Sequence, residues 1–266
     1  MFGEIVLYLS TKASRDARRF GLVTQAIGLW SRSRRQKRDW SEHYQRCQGF
    51  IRAAIADDPV GGTAVILGSG LVADIPLDAL VARFDRIILV DIVHLKPVRR
   101  MLGGDPRFSN KVVFDERDLT GRLASIHADP FARSDPLLDL KQDPTVRLVV
   151  SANCLSQLPR PLATYLGQMS RLPDTEVDAI CADVIRDHLG DLADFAARVI
   201  LLTDTSYSQI SAKGSAIERH DLVFGTPLPP ADACWDWVVA PKGEIRGGVT
   251  NIHHVSAYAD FEQRSR

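Results

Sequence analysis

The chain has 266 residues, of which 45% are hydrophobic and 25% charged, and its 33 basic residues balance 33 acidic ones. This composition excludes wholesale disorder and collagen-like or coiled-coil proteins, and it gives no electrostatic reason to expect a nucleic acid or a membrane as partner. Four scattered cysteines without a CxxC pair argue against a zinc site or a disulfide scaffold, so we predict no metal and a reducing, cytoplasmic environment.

The first 60 residues are predicted to form a helical segment. Residues 13–56 lack proline, and apolar residues recur in them at helical spacing, while the earlier apolar run Ile5–Leu9 is too short to cross a bilayer. The basic run Arg32–Arg38 is either a solvated helix face or a site that attracts an anionic substrate. Turn residues at 57–62 predict a boundary. We therefore expect residues 1–60 to form a lid and residues 61–266 to form the main domain, so that deleting residues 1–56 would spare cofactor binding more than substrate turnover.

Short β-branched runs alternate with helical stretches from Thr63 onward. The runs are Ala64–Leu67, Ile87–Val90, Lys111–Phe114, Val146–Val150 and Val199–Leu202. Such runs are typical of parallel strands that are buried on both faces. Their alternation with helices predicts a doubly wound α/β sheet.

The second half of the chain contains the clearest helix and a different ending. Residues 175–197 follow helical spacing, and Asp174 is placed to cap that helix. The strand-like runs Trp235–Ala240 and Ile252–Tyr258 predict an antiparallel hairpin at the end of the sheet. Residues 206–232 have weak periodicity and are expected to lie as a loop over the carboxyl ends of the strands, where ligands bind in open α/β sheets.

Three motifs follow the first three predicted strands. Gly68-Ser69-Gly70 is either a structural turn or a glycine turn that lets backbone approach a ligand closely. Asp91 ends the second strand, where a carboxylate can accept both hydroxyls of a ribose, or else caps a loop. After the third strand, Asp118 can accept a hydrogen bond from the exocyclic amine of adenine while Leu119 packs on the base. Asp115 is the competing carboxylate, and a solvated acidic loop is the alternative.

With these motifs the chain resembles the class I S-adenosylmethionine-dependent methyltransferases over about residues 60–258. The resemblance rests on Val65–Gly70, Leu89–Asp91, Arg117–Leu119, Val149–Leu158 and the final hairpin. It implies a Rossmann-like, mostly parallel seven-stranded sheet with S-adenosylmethionine as cofactor. The cofactor-binding residues that it implies are Gly68, Ser69, Gly70, Asp91, Ile92, Asp118, Leu119 and Asn153. Among them, the glycines would lie against the methionine part, Asp91 on the ribose and Asp118 at the adenine.

The chain also departs from that family. Ile66 stands where an acidic residue is usual, and Leu71 and Val72 occupy the region of a third glycine. These departures favour an alternative, a non-catalytic nucleoside-binding or interaction protein with the same fold. A nucleotide-dependent oxidoreductase is a third possibility, but Ala73 stands where the dinucleotide fingerprint requires glycine.

Candidate catalytic residues carry a weaker signal. Asn153 follows the fourth predicted strand and is suited to positioning a nucleophile, Asp204 and Tyr207 follow the fifth, and His220 has the side-chain chemistry of a general base. Each of the four also has a purely structural interpretation. The acceptor is expected to be a small molecule rather than a nucleic acid, and the oligomeric state and the methylated atom stay open.

Overall fold

The computed structural model describes residues 2–169, 172–212, 214–245 and 247–261. Its helices are α1 (Phe2–Ser10), α2 (Arg15–Arg19), α3 (Leu22–Arg35), α4 (Ser41–Ala54), α5 (Leu77–Arg83), α6 (Lys96–Gly103), α7 (Pro106–Ser109), α8 (Leu138–Gln142), α9 (Pro159–Met169) and α10 (Asp174–Ala193). Its strands are β1 (Thr63–Leu67), β2 (Arg86–Asp91), β3 (Val112–Glu116), β4 (Val146–Ala152), β5 (Arg198–Ile210), β6 (Ala216–Asp221), β7 (Ala233–Ala240) and β8 (Thr250–Tyr258). All seven predicted strands are therefore confirmed.

The strands form one sheet in the order β3-β2-β1-β4-β5-β8-β7, and β6 pairs with β5 outside this path. Strands β1 to β5 pair in parallel, whereas β8 is antiparallel to both β5 and β7. This arrangement confirms the doubly wound fold with an antiparallel C-terminal hairpin. The sheet has eight strands rather than the expected seven, because β5 continues to Ile210 and β6 folds back on it. The loop predicted over residues 206–232 is thus partly wrong.

Both faces of the central strands are buried, which explains their continuous apolar sequences. All five residues of β1 are buried. Ala64 and Ile66 belong to the core on one face of the sheet, and Val65 and Leu67 belong to the core on the other. This alternation follows from the two-residue period of side chains along a strand.

The N-terminal segment consists of four helices and shares its core with the sheet. Trp40, Cys47 and Ile51 are almost fully buried, with exposures of 1%, 0% and 0%, and they pack in the same cluster as Ile66 of β1. A boundary near residue 60 stays a prediction, but the helices before it form one layer of the fold. The last residues of the predicted main domain, 262–266, lie outside the described part of the chain.

Two further details differ from the sequence-based expectations. Helix α10 begins at Asp174 itself and follows Pro173, which supplies no side-chain cap, so the capping role of Asp174 is wrong. The same helix ends at Ala193, four residues before the predicted end. Among the described residues, no helix is both long enough and apolar enough to cross a membrane.

Candidate functional site

A cavity of about 610 Å³ lies at the carboxyl edge of the sheet, between the strand ends and the N-terminal helices. It sits where the strand order reverses around β1 and β4, the place where open α/β sheets bind ligands. One wall contains all eight residues predicted to bind the cofactor: Gly68, Ser69, Gly70, Asp91, Ile92, Asp118, Leu119 and Asn153. The structure therefore brings these residues together around one space, and their roles toward a cofactor stay predictions.

The glycine turn and Asp91 form one hydrogen-bonded unit. The Gly70 N–H donates to Oδ2 of Asp91 at 2.8 Å, and the Val93 N–H lies 3.4 Å from Oδ1. Burial raises the pKa of the Asp91 carboxyl above its ordinary value. Each carboxylate oxygen has a second lone pair, so Asp91 still has the capacity to accept hydrogen bonds from a ligand.

The other two residues of the turn are engaged inside the protein. Gly68 has a φ of +72°, and a Cβ at this position would lie 2.3 Å from the Cβ of Cys154. The packing of Cys154 against the turn is thus sufficient to require glycine there. The Ser69 hydroxyl lies 3.0 Å from Nε2 of His94, which is fully buried. This hydrogen bond ties the turn to the loop that follows β2.

The two departures from the methyltransferase pattern have clear structural consequences. Ile66 is fully buried in the core face of β1, so an isolated carboxylate there would be costly. Val72 is buried and has a φ of +55°, in the left-handed region that β-branched residues rarely adopt. Such a conformation costs on the order of 1–3 kcal/mol. The region of the missing third glycine therefore keeps the backbone conformation that favours glycine.

Asp118 lies on the cavity wall but already accepts four hydrogen bonds within its own turn. Its Oδ1 accepts from the N–H and the hydroxyl of Thr120, and its Oδ2 accepts from the N–H groups of Arg122 and Leu123. The carboxylate thus holds the loop after β3 in shape, which the sequence did not reveal. The competing Asp115 lines a separate depression and forms an ion pair with Arg117.

Sequence reasoning placed the N-terminal helices over the site, but it did not identify which of their residues border the cavity, and it missed the contribution of β7. The principal members of the wall that these elements form are Leu22, Gln25, Ala26, Gly28, Leu29 and Arg32 of α3, His43 and Tyr44 of α4, Trp40 before α4, and Trp237 of β7. The ring of His43 stacks on Trp237, with the ring centroids 3.9 Å apart and the planes inclined by 6°. Helical spacing had shown that these segments are helices, but it does not show which helix face borders a cavity.

His43 is held as a neutral ring whose two nitrogens are both engaged. Burial lowers the pKa of His43 to about 4. The Trp235 indole N–H donates to Nδ1 at 3.1 Å, so the proton of the neutral ring is on Nε2. Nδ2 of the Asn153 amide lies 3.2 Å from Nε2, and turning the amide by 180° places its oxygen there to accept this proton. His43 consequently orients Asn153 and has no free lone pair with which to act as a base.

Asp74 is a second cavity residue that the sequence analysis missed. It follows the glycine turn, and burial raises the pKa of its carboxyl to about 6. Among the described residues Asp74 forms no ion pair. It clusters with His43 and Cys47, and the potential metal-ligand atoms of all three lie within 4.8 Å of one another. These three residue types are metal ligands, but both nitrogens of His43 are engaged and burial raises the pKa of Cys47, which disfavours the thiolate. The absence of a metal stays a prediction.

Of the four catalytic candidates, Asn153 alone belongs to the described cavity wall. The other three lie together along β5 and β6. The Tyr207 ring stacks on His220 and on His253, at centroid distances of 4.4 and 5.3 Å. Asp204 accepts a hydrogen bond from the Ser156 hydroxyl and pairs with His253. These contacts give Asp204, Tyr207 and His220 structural partners outside the cavity wall.

The basic run mainly connects α3 to the loop between β7 and β8. Arg35 and Gln36 donate to the Glu244 carboxylate at 2.6 and 2.9 Å, and Arg32 lies 3.6 Å from it. The guanidinium group of Arg34 lies 4.8 Å from the ring centre of Trp30. Most of the run therefore serves the fold, and Arg32 is the member that also borders the cavity.

Searches for related proteins gave structural similarities only, since no family model and no curated protein matches the chain. The chain is similar to the 1,6-didemethyltoxoflavin-N1-methyltransferase of Burkholderia thailandensis, with 11% identity and a TM-score of 0.42 over 90% of this chain and 89% of that one. It is also similar to the magnesium protoporphyrin IX methyltransferase of Synechocystis PCC 6803, with 12% identity and a TM-score of 0.34 over 80% and 79%. Both TM-scores are below 0.5, so the functional assignment depends on the residues of the cavity.

Proposed function

We propose that the protein is an S-adenosylmethionine-dependent methyltransferase that acts on a small molecule. The observation that carries this proposal is the wall of the cavity at the switch point of the sheet. There the Gly70 N–H is bonded to the Asp91 carboxylate, and Leu119 and Asn153 border the same space. This is the set of groups that the family resemblance implies for a nucleoside with a methionine tail.

The residues on this wall fit the parts of the cofactor. Asp91 retains lone pairs for the two ribose hydroxyls, and the apolar side chains of Ile92 and Leu119 suit the faces of an adenine ring. Asp74 provides a carboxylate without a cationic partner among the described residues. We assign it to the α-ammonium group of the methionine part, in place of the acid that is missing at Ile66.

When bound, S-adenosylmethionine supplies a methyl group that a lone pair of the acceptor displaces from the sulfonium sulfur, leaving a neutral thioether. The protein then has to align donor and acceptor and exclude water. This assignment is consistent with a cavity in which His43 is neutral and has no free lone pair. Asn153, oriented by His43, is the polar group placed to position the acceptor.

A small acceptor agrees with the shape and charge of the site. The helices α3 and α4 cover one side of the cavity, and much of the basic run is engaged with Glu244 and Trp30. Nothing in the balanced net charge favours a polyanionic partner. The alternative of a non-catalytic nucleoside-binding protein is favoured by the strained Val72 and the internal role of Asp118.

Calorimetric titration with S-adenosylmethionine, S-adenosylhomocysteine and NAD tests the cofactor. We expect the first two to bind and NAD not to bind. Asp91→Asn should weaken both by about 10–150-fold, because hydrogen bonds to a charged acceptor contribute about 1.5–3 kcal/mol. Asp57→Asn, at an exposed position after α4, is the matched control and should leave both affinities unchanged.

A label-transfer assay then distinguishes an enzyme from a non-catalytic binding protein. The protein is incubated with cofactor labelled in its methyl carbon and a small-molecule cell extract. Label that appears in a new small molecule supports the enzyme, whereas binding without transfer supports the alternative. Binding of NAD alone would overturn the cofactor assignment.

A further inference from the structure

Resting on this proposed function, we propose that the helix-side half of the cavity binds a planar aromatic methyl acceptor. The residues that border this half are aliphatic on one side and aromatic on the other. Neither side belongs to the strand-edge wall assigned to the cofactor. The inference therefore concerns the class of acceptor, which the cofactor-binding residues do not determine.

The aliphatic side is one face of helix α3. Leu22, Ala26 and Leu29 follow one another at spacings of four and three residues, so they lie on the same stripe of the helix, and all three border the cavity. Ala26 and Leu29 are only partly buried. Their remaining exposed apolar surface is available to a ligand, and burying that surface against an apolar ring favours binding.

The aromatic side is rigid before any ligand arrives. Trp237 is stacked against His43 and meets Trp40 edge to face, with ring centroids 5.1 Å apart and planes inclined by 76°. The Trp40 indole N–H donates to the Val239 carbonyl at 3.1 Å, which fixes that ring. Rings that are already held in place lose little entropy when a ligand binds, so this side is suited to a flat ring.

Gly28 leaves open space beside α3 at the border of the cavity. It lies in the interior of α3, where glycine is less favourable than alanine. Gly28 is exposed and borders the cavity, and a Cβ at this position would meet no other atom within 4 Å. A side chain at position 28 would therefore meet no packing obstacle, and we infer that a large one would occupy part of this half of the cavity.

The test compares two probes with the same carbon skeleton, planar 2-naphthol and its saturated counterpart decahydro-2-naphthol. Their affinities are measured by calorimetry on full-length protein saturated with S-adenosylhomocysteine. We expect 2-naphthol to bind at least tenfold more tightly. Trp237→Leu should reduce its affinity by about 3–10-fold, whereas Trp30→Leu, at a tryptophan outside the described cavity wall, should not.

Gly28→Leu should reduce 2-naphthol binding at least tenfold while the affinity for S-adenosylhomocysteine stays unchanged. Gly49→Leu is its matched control, because Gly49 is an exposed interior glycine of α4 and a Cβ there would likewise meet no other atom within 4 Å. Equal affinity of the two probes, or no binding of 2-naphthol, would overturn the inference. So would full 2-naphthol binding by folded Gly28→Leu. Failure of S-adenosylhomocysteine to bind wild-type protein would instead overturn the proposed function itself.

Discussion

Replacing Asp74 by asparagine should stabilise the free protein and weaken its affinity for the cofactor. Burial raises the pKa of the Asp74 carboxyl from an ordinary 3.8 to about 6, so the fold disfavours its charged form. The wild-type protein therefore loses stability as the pH rises from about 4 to about 6. One pKa unit corresponds to about 1.4 kcal/mol, and solvent screening lowers the effect, so we expect a loss of about 1–3 kcal/mol.

The stability assay is urea unfolding of wild type and Asp74→Asn at pH 8 and at pH 4. The variant should be more stable by about 1–3 kcal/mol at pH 8, and the difference should nearly vanish at pH 4, where folded wild type is protonated at Asp74. Asp78→Asn is a control of opposite sign. The hydrogen bond from Arg52 lowers the pKa of Asp78, so this variant should lose a little stability at pH 8.

The binding assay separates the ammonium-binding role from general damage to the site. Asp74→Asn should bind S-adenosylhomocysteine about 5–30-fold more weakly, because a hydrogen-bonded charge pair of about 1–2 kcal/mol is lost. Its affinity for 5′-methylthioadenosine, which lacks the amino-acid tail, should stay that of the wild type. Equal losses for the two ligands would refute the assignment of Asp74 to the α-ammonium group. An unchanged stability difference between pH 8 and pH 4 would refute the electrostatic argument.

Three further perturbations test the framework around the cavity. In urea unfolding, Val72→Gly should be more stable than Val72→Ala by about 0.5–1 kcal/mol, because alanine keeps the strained left-handed backbone conformation and glycine relieves it. The reverse order of stability would show that the backbone at position 72 is not strained. Glu244→Gln should weaken the contact with Arg35 and raise amide hydrogen exchange at the end of α3, and unchanged exchange would show that this contact contributes little. Because Trp40, Cys47 and Ile51 share a core with β1, deleting residues 1–56 should abolish cooperative thermal unfolding, contrary to the expectation from sequence that cofactor binding survives. A folded remainder that binds cofactor would instead support the lid interpretation.

The strands could be predicted because their sequences satisfy a strong local requirement. A parallel strand that is buried on both faces must be apolar along its buried centre, and Ala64–Leu67 of β1 and Leu148–Val150 of β4 are. The same reasoning located the residues at the strand ends, so Gly70, Asp91 and Asn153 were placed at one edge before the cavity was known. Topology alone brings such residues together.

The other half of the cavity could not be predicted, because the sequence pattern accounts for its residues as ordinary helix and turn positions. Trp40 and His43 read as apolar and polar positions of a helix, and nothing local shows that they meet Trp237 almost 200 positions later. Asp74 reads as a turn residue. For Asp118 the sequence predicted the position after β3 correctly but not the hydrogen bonds. The carboxylate bonds to its own loop, and this depends on a backbone geometry that no sequence motif specifies.

The contacts between the helical layer and the final strands also determine when this site can form during synthesis. Trp40 donates a hydrogen bond to Val239, and Gln36 donates one to Glu244. The partners are 199 and 208 positions apart in the chain. At about 5–20 residues per second, the helices leave the ribosome roughly 10–40 s before those partners exist. During that interval the apolar surface of Trp40 lacks its final cover. The helices that form one wall of the cavity are therefore synthesised first, and the cavity is complete only after the last strands have been synthesised.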